Sequence, residues 1–244
     1  MHIFSAFARS VLEDLAIANR ILFDQGVLDA FGHVSARHPD AEHQFLLARN
    51  MAPGLVTPDD IMTFNLDSEP CVQDGRPIYL ERFIHGEIYR VRPDVMAIVH
   101  SHSPAIIPFG VVPEIALRPV FHMSGFLGSG SALFEIRCCA GAESDLLIRN
   151  SHLGAELARS LGNRSLVVMR GHGSTVVGSS LRQVVFRAVY AEVNARLQTT
   201  AMQLGSVNYL TSHEAAAAAA SNDGQTGRAW EMWKLLAERR AICA

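Results

Sequence analysis

Residues 95–102 read V-M-A-I-V-H-S-H, an apolar run that ends in two histidines spaced two apart. Five apolar residues, bounded by Arg92-Pro93-Asp94 before and Ser103-Pro104 after the histidines, are too few for a helix and suit a buried strand. Alternate side chains on a strand share a face, so His100 and His102 point the same way with Cα atoms about 6.5 to 7 Å apart. Two imidazoles so placed can close on one ion at nitrogen–metal distances of roughly 2.0 to 2.1 Å. The same letters also fit two polar residues capping a strand, so a metal site needs further ligands from elsewhere.

A second apolar run supplies one. Leu166-Val167-Val168-Met169-Arg170 leads into Gly171-His172-Gly173, where the glycines permit backbone angles that other residues resist and set His172 at a strand's end. Alone, His172 reads as a turn residue. Beside the H-S-H strand it completes a three-histidine set that leaves coordination positions open for a substrate.

Working outward, residues 7–25 carry Leu12, Leu15, Ala18 and Leu22 at helical spacing, with Gly26 where a C-cap glycine belongs. Residues 32–48 predict a hairpin turning at His38-Pro39-Asp40. Residues 57–66 predict a capped turn into a strand, followed by a turn at Asp74-Gly75. Helical character is expected over 81–90, over 151–161 with Ser151 as N-cap and Gly162 past its end, over 181–204 ended by Gly205, around the alanine-rich 215–220, and over 229–240 with Trp230 and Trp233 packed inward. Pro104, Pro108, Pro113 and Pro119 break up the region after the central strand, where loops and short strands are expected. The order of elements gives an α/β fold: a single domain over residues 1–244, with a central, mixed, mostly antiparallel sheet sandwiched between helical layers.

Composition narrows the function. A net charge of −3 with no Lys/Arg-dense run argues against a nucleic-acid partner. The N-terminus lacks a basic segment followed by an apolar stretch, and no window approaches the roughly 18 apolar residues of a membrane span, so a cytoplasmic protein is expected. Cys71, Cys138, Cys139 and Cys243 show no C-x-x-C spacing and read as reduced, mostly buried thiols. Ile106, Ile107, Phe109, Val111, Val112, Phe121, Phe126 and Leu127 are too apolar for free loops, and a neighbouring subunit could cover them.

Taken in order, E-x-x-x-H from Glu81 to His85, R-P-D-V-x-A-I-V-H-S-H and R-G-H-G resemble the class II aldolase and adducin family. G-H-V-S-A-R stands where that family usually has G-N-x-S-x-R, and the early helix, the T-P-D-D turn and the long helix after His172 also match, so the resemblance covers nearly the whole chain. It implies a class II aldolase-like fold in which His100, His102 and His172 bind a divalent metal, with Glu81 as a further ligand or as the group that transfers protons. Mn is favoured and Zn or Co remain possible. Adducin-like scaffolds lack the full histidine set.

The chain departs from the sugar-phosphate aldolases of this family where they hold phosphate. His33, Arg49-Asn50 and Tyr79-Leu80 replace an Asn, a Ser/Thr-Gly pair and a Ser-Ser pair. Losing small donors at three places implies that no phosphate dianion sits there. The larger, more basic replacements suit a planar carboxylated ring, with Arg49 able to clamp a carboxylate, although His33, Asn50 and Tyr79 also fit ordinary loop packing. The H-M-S-G-F-L-G segment, residues 122–128, resembles the decarboxylase branch of the family. That implies a carboxy-lyase for a hydroxylated aromatic or pyridine carboxylate, with 3-hydroxy-2-methylpyridine-4,5-dicarboxylate of vitamin B6 breakdown foremost. The alternatives are a retro-aldolase on an unphosphorylated hydroxy-acid, or a scaffold that binds no stoichiometric metal. The resemblance also implies a homotetramer whose site lies between subunits, with one chain's His122 or Phe126 brought beside the next chain's metal and His122 counted in the catalytic group.

Overall fold

The computed structural model describes the backbone of residues 6–243 and the side chains of residues 9–240. The N-terminal segment and the Cys243 thiol, both read above, lie outside what is described. A seven-stranded sheet forms the centre. Its strands are β1 (His33–Arg37), β2 (Gln44–Ala48), β3 (Ile61–Asn65), β4 (Ala97–Ser101), β5 (Ala132–Phe134), β6 (Leu166–Met169) and β7 (Gly173–Gly178), in the order β3-β2-β1-β4-β7-β6-β5. Every pairing is antiparallel except β5 with β6. The mixed, mostly antiparallel sheet expected from the sequence is therefore present, with β7 as an additional strand that its small residues G-S-T-V-V-G had concealed.

The helices are α1 (Ala6–Asp24), α2 (Phe83–Val91), α3 (Pro108–Val111), α4 (Arg137–Ala140), α5 (Ser151–Leu161), α6 (Leu181–Leu204), α7 (Ser212–Asp223) and α8 (Thr226–Cys243). Register separates the two faces. Ala36, Ala97 and Gly178 lie side by side, and Gly178 meets Val184 of α6, so α6 and the α1 and α8 that pack on it cover that face. His33, Ser35 and Arg37 alternate to the other face, toward α2, which packs on α5. Leu15, Ala18, Ile21 and Leu22 of α1 are fully buried. Each large aliphatic side chain of this kind contributes about 1.5–3 kcal/mol on leaving water. Trp230 and Trp233 are buried as expected. No helix among the described residues is long and apolar enough to cross a membrane.

Three local expectations need correction. The N-cap of α5 is Asn150, whose side chain accepts from Leu153 N–H, so Ser151 is already inside the helix. The proline-broken region forms helical turns instead of short strands: Pro108 opens α3, where its missing N–H costs nothing, and residues 122–127 form a 3-10 turn. Ile106, Phe109, Phe126 and Leu127 are buried by their own chain, while Val111 and Val112 stay exposed. Buried polar residues of α6 hold this region. Asn194 bonds Val120 N and Arg118 O, and Gln198 bonds Arg118 N and Ala116 O. Cys71 and Cys138 are exposed and Cys139 is half-buried; all three are free thiols on short surface segments rather than in the core.

Candidate metal centre and active site

Antiparallel pairing of β1 with β4 sets His33 opposite His100, and β4 pairs in turn with β7, whose first residue follows His172. The turn carrying His172 needs its two glycines for different reasons. Gly171 has φ +65°, a left-handed angle, whereas Gly173 is needed for space, since a Cβ there would come within 2.0 Å of Ser101 O. Only a close approach of β7 to the end of β4 lets His172 reach the histidines of the H-S-H run.

Glu81, His100, His102 and His172 converge so that one ligand atom from each lies within 4.8 Å of the others. The Nε2 atoms of His102 and His172 are 3.1 Å apart, and Glu81 Oε2 lies 3.3 Å from His172 Nε2 and 3.5 Å from His100 Nε2. Four donors about 2.1 Å from one ion in a tetrahedron would be separated by roughly 3.4 Å. His100 gives the clearest test of fit: it is fully buried, and its Nε2, like its Nδ1, has no hydrogen-bond partner among the described residues, a costly state for a polar atom unless something binds it. Three imidazoles and a carboxylate suit a borderline divalent ion.

Neighbouring groups orient these ligands. His172 Nδ1 donates to Leu146 O at 2.9 Å, which fixes the tautomer and leaves the Nε2 lone pair facing the cluster. Leu146 presents that carbonyl from a left-handed conformation, φ +70°. Glu81 Oε1 accepts from Ile148 N–H at 2.9 Å, leaving Oε2 for the cluster. Burial alone would raise the Glu81 carboxyl, but His100 and His172 beside it hold it below the usual carboxylate range. Burial, with help from His100 and His172, pushes His102 down to about 4. His172 is raised: burial opposes this, and the Glu81 carboxylate overcomes it.

Beyond the four, the His33 ring lies 5.0 Å from that of His100 and 4.7 Å from that of Tyr79. Tyr79 spends its hydroxyl on Met51 O, at 2.6 Å, so its ring is what it offers the site. Arg49 couples electrostatically to Tyr79, and its Nε donates to Asp60 at 2.7 Å. The two terminal nitrogens of Arg49 have no partner among the described residues. The His33 and Tyr79 rings thus follow one another from His100, and Arg49 is linked to them through its electrostatic effect on Tyr79. Asn50, by contrast, is exposed and is tied down through its backbone N–H to Pro77 O. His122 is exposed on the 122–127 turn, which packs on α7.

Sequence reasoning missed several members. Phe31 is 65% exposed with its ring 6.3 Å from that of His102, an aromatic surface beside the ligands that a lone Phe in a loop does not announce. Leu146 O and Ile148 N–H act through the main chain, which leaves no trace in residue type. His85, Ser35 and Tyr89, buried behind His33, do leave one: H-x-S on a strand and H-x-x-x-Y on a helix each put two polar groups on one face.

Comparison with known proteins places the chain among relatives. The profile of the Class II Aldolase and Adducin N-terminal domain matches residues 13–199. The chain is 37% identical over 236 residues to the decarboxylase tropJ of Talaromyces stipitatus, covering 87% of this chain and 88% of that protein. It is 30% identical over 207 residues to the 3,4-dihydroxyphthalate decarboxylase of Arthrobacter keyseri, covering 79% of each. In fold it matches the L-fuculose 1-phosphate aldolase of Glaciozyma antarctica with a TM-score of 0.77 at 22% identity, over 98% of this chain and 95% of that one. Sequence profile, relatives and fold point the same way, and the chain belongs to the class II aldolase and adducin family.

Proposed function

We propose that the protein is a divalent-metal-dependent carboxy-lyase that removes carbon dioxide from a hydroxylated aromatic or pyridine carboxylate. The observation that carries this reading is the run of Arg49, Tyr79 and His33 beside His100: a basic and aromatic wall where phosphate-binding relatives would need small donors. The names of the relatives support it, since one is a decarboxylase and another acts on 3,4-dihydroxyphthalate.

His100, His102, His172 and Glu81 would hold the ion, for which we favour Mn over Zn or Co. A bound divalent ion would supply Lewis-acid stabilisation for the negative charge that develops on the ring oxygen as the carbon–carbon bond breaks. The chain's own residues do the rest. Phe31 and Tyr79 offer ring surfaces that hold a planar substrate, and Arg49, steadied by Asp60, clamps a second carboxylate with its terminal nitrogens. His33 meets a substrate oxygen. The departing carbon dioxide leaves its bonding electrons in the ring, and a proton from a water that the Glu81 carboxylate orients completes the ring carbon, the resulting hydroxide going to solvent. We further propose a cytoplasmic homotetramer in which the exposed His122 of one subunit faces the metal of the next and helps exclude water.

A substrate panel tests the reading: 3,4-dihydroxyphthalate, 3-hydroxy-2-methylpyridine-4,5-dicarboxylate, and unphosphorylated aldols, assayed for carbon dioxide and for aldehyde. Carbon dioxide from a ring dicarboxylate is the expected result. Aldehyde from an aldol, without carbon dioxide from any ring acid, would replace it with the retro-aldolase. Light scattering tests the assembly, since a fully active monomer would remove His122 from the mechanism.

A further inference from the structure

Behind His33 runs a buried line of side-chain hydrogen bonds. The Tyr89 hydroxyl lies 2.8 Å from Ser35 Oγ, Ser35 Oγ lies 2.6 Å from His85 Nδ1, and His85 Nε2 lies 2.7 Å from His33 Nδ1. All four residues are at most 3% exposed. The spacing is built into the elements, with two β1 residues two apart facing two α2 residues four apart.

Such a line can run in two directions, and the tyrosine decides between them. Ser35 Oγ is the only hydrogen-bond partner of the Tyr89 hydroxyl among the described residues. If Tyr89 donates to Ser35, then Ser35 donates to His85 Nδ1 and His85 Nε2–H donates to His33 Nδ1, so every proton inside the line has an acceptor and only the His33 Nε2–H at its end is left over. In the reverse direction the tyrosine proton is left buried with nothing to accept it, a cost that the forward direction avoids. The Arg37 guanidinium, 4.8 Å from the centre of the Tyr89 ring, also favours hydrogens that point away from it, toward His33. At the far end, His33 Nε2 has no partner among the described residues and is not among the fully enclosed unbonded atoms.

We propose that the Tyr89–Ser35–His85 line locks His33 in one neutral tautomer, Nδ1 bare and Nε2 protonated, so that His33 serves as a fixed N–H donor to an acceptor oxygen of the substrate. Tyr89, Ser35 and His85 are then positioning residues. The tautomer follows from the hydrogen bonds alone; only its use on a ring acid rests on the function proposed above.

The test uses zinc-loaded protein labelled with 15N-histidine, in which two-bond proton–nitrogen spectra report the tautomer of each ring and a His33→Gln variant assigns the His33 signals. The wild type should show His33 with protonated Nε2. Tyr89→Phe, which removes the terminal donor, should give a mixed or reversed His33 tautomer and lower kcat on a ring acid about tenfold, the loss of roughly one neutral hydrogen bond. A protonated Nδ1 in the wild type, or an unchanged tautomer in Tyr89→Phe, would overturn the proposal. Should Tyr89→Phe fail to fold, Ser35→Ala cuts the same line and carries the same expectations. A protein with the expected tautomer that releases no carbon dioxide from any ring acid would sink the proposed function and leave the line standing.

Discussion

Two buried polar networks do different work in this molecule. Along α6, Glu192, Asn194 and Gln198 reach mainly for main-chain groups of residues 105–120, and Glu192 also accepts from Ser103 Oγ. Between α2 and β1, Tyr89, Ser35, His85 and His33 bond one another and end at a ring nitrogen with no partner among the described residues. The first pattern closes on backbone and clamps a proline-broken segment that could not fold through periodic structure. The second leaves one group open beside the four converging side chains. Buried polar side chains that satisfy main chain indicate architecture, whereas a line of them that ends in a free donor indicates a site.

The largest effect should come from His100, whose ring lies 5.0 Å from that of His33 at the end of the second network. His100→Ala should abolish stoichiometric metal in elemental analysis and lower kcat by about 10³-fold or more, since Lewis-acid stabilisation is worth several kcal/mol. A variant with normal metal content would break the link between His100 and the ion. Next in size is the clamp. Glu192→Ala strips an acceptor from Ser103 Oγ and the Ala105 N–H and should lower unfolding stability by about 2–3 kcal/mol in urea titration. Tyr89→Phe should cost less stability while changing turnover, and equal behaviour of the two variants would erase the distinction between the networks.

Arg49→Ala sharpens the comparison at the substrate end. It should raise the KM for a ring dicarboxylate about 10- to 100-fold, and that for the matching monocarboxylate far less, because one charge-assisted clamp is lost. Equal changes would show that Arg49 serves only its Asp60 pair.

Acid tests the second network in another way. Burial, first, and nearby His100 push His85 down to about 3, so the folded protein keeps it neutral where the unfolded chain would protonate it. Between about pH 6.5 and 3 the unfolded state therefore binds more protons, and stability present above pH 6.5 falls as pH drops, by at most about 1.4 kcal/mol per unit from this one group. His85→Gln should flatten the acid limb of a stability–pH curve by close to one proton. An unchanged slope would show that His85 does not titrate on unfolding.

How much of this was legible in the sequence follows from where each signal resides. The V-M-A-I-V-H-S-H strand and the R-G-H-G turn announce their chemistry through residue type and period, so three of the four converging groups are legible there, while Glu81 comes only from the family resemblance. The α6 clamp could not, because Glu192, Asn194 and Gln198 read as an ordinary helix surface until the segment they hold is folded against them. Leu146 was illegible for a different reason: nothing about a leucine forecasts a left-handed conformation that hands its carbonyl to His172. Asn150 displaced Ser151 as N-cap because both residues can cap and only the backbone decides which does.

The account stands most directly on carbon dioxide release by the purified protein from the ring dicarboxylates of the substrate panel, measured before chelation, after chelation and after Mn is restored. It predicts one carbon dioxide per substrate consumed, loss of release on chelation and recovery with Mn. Undiminished release from protein shown by elemental analysis to be free of metal would contradict it.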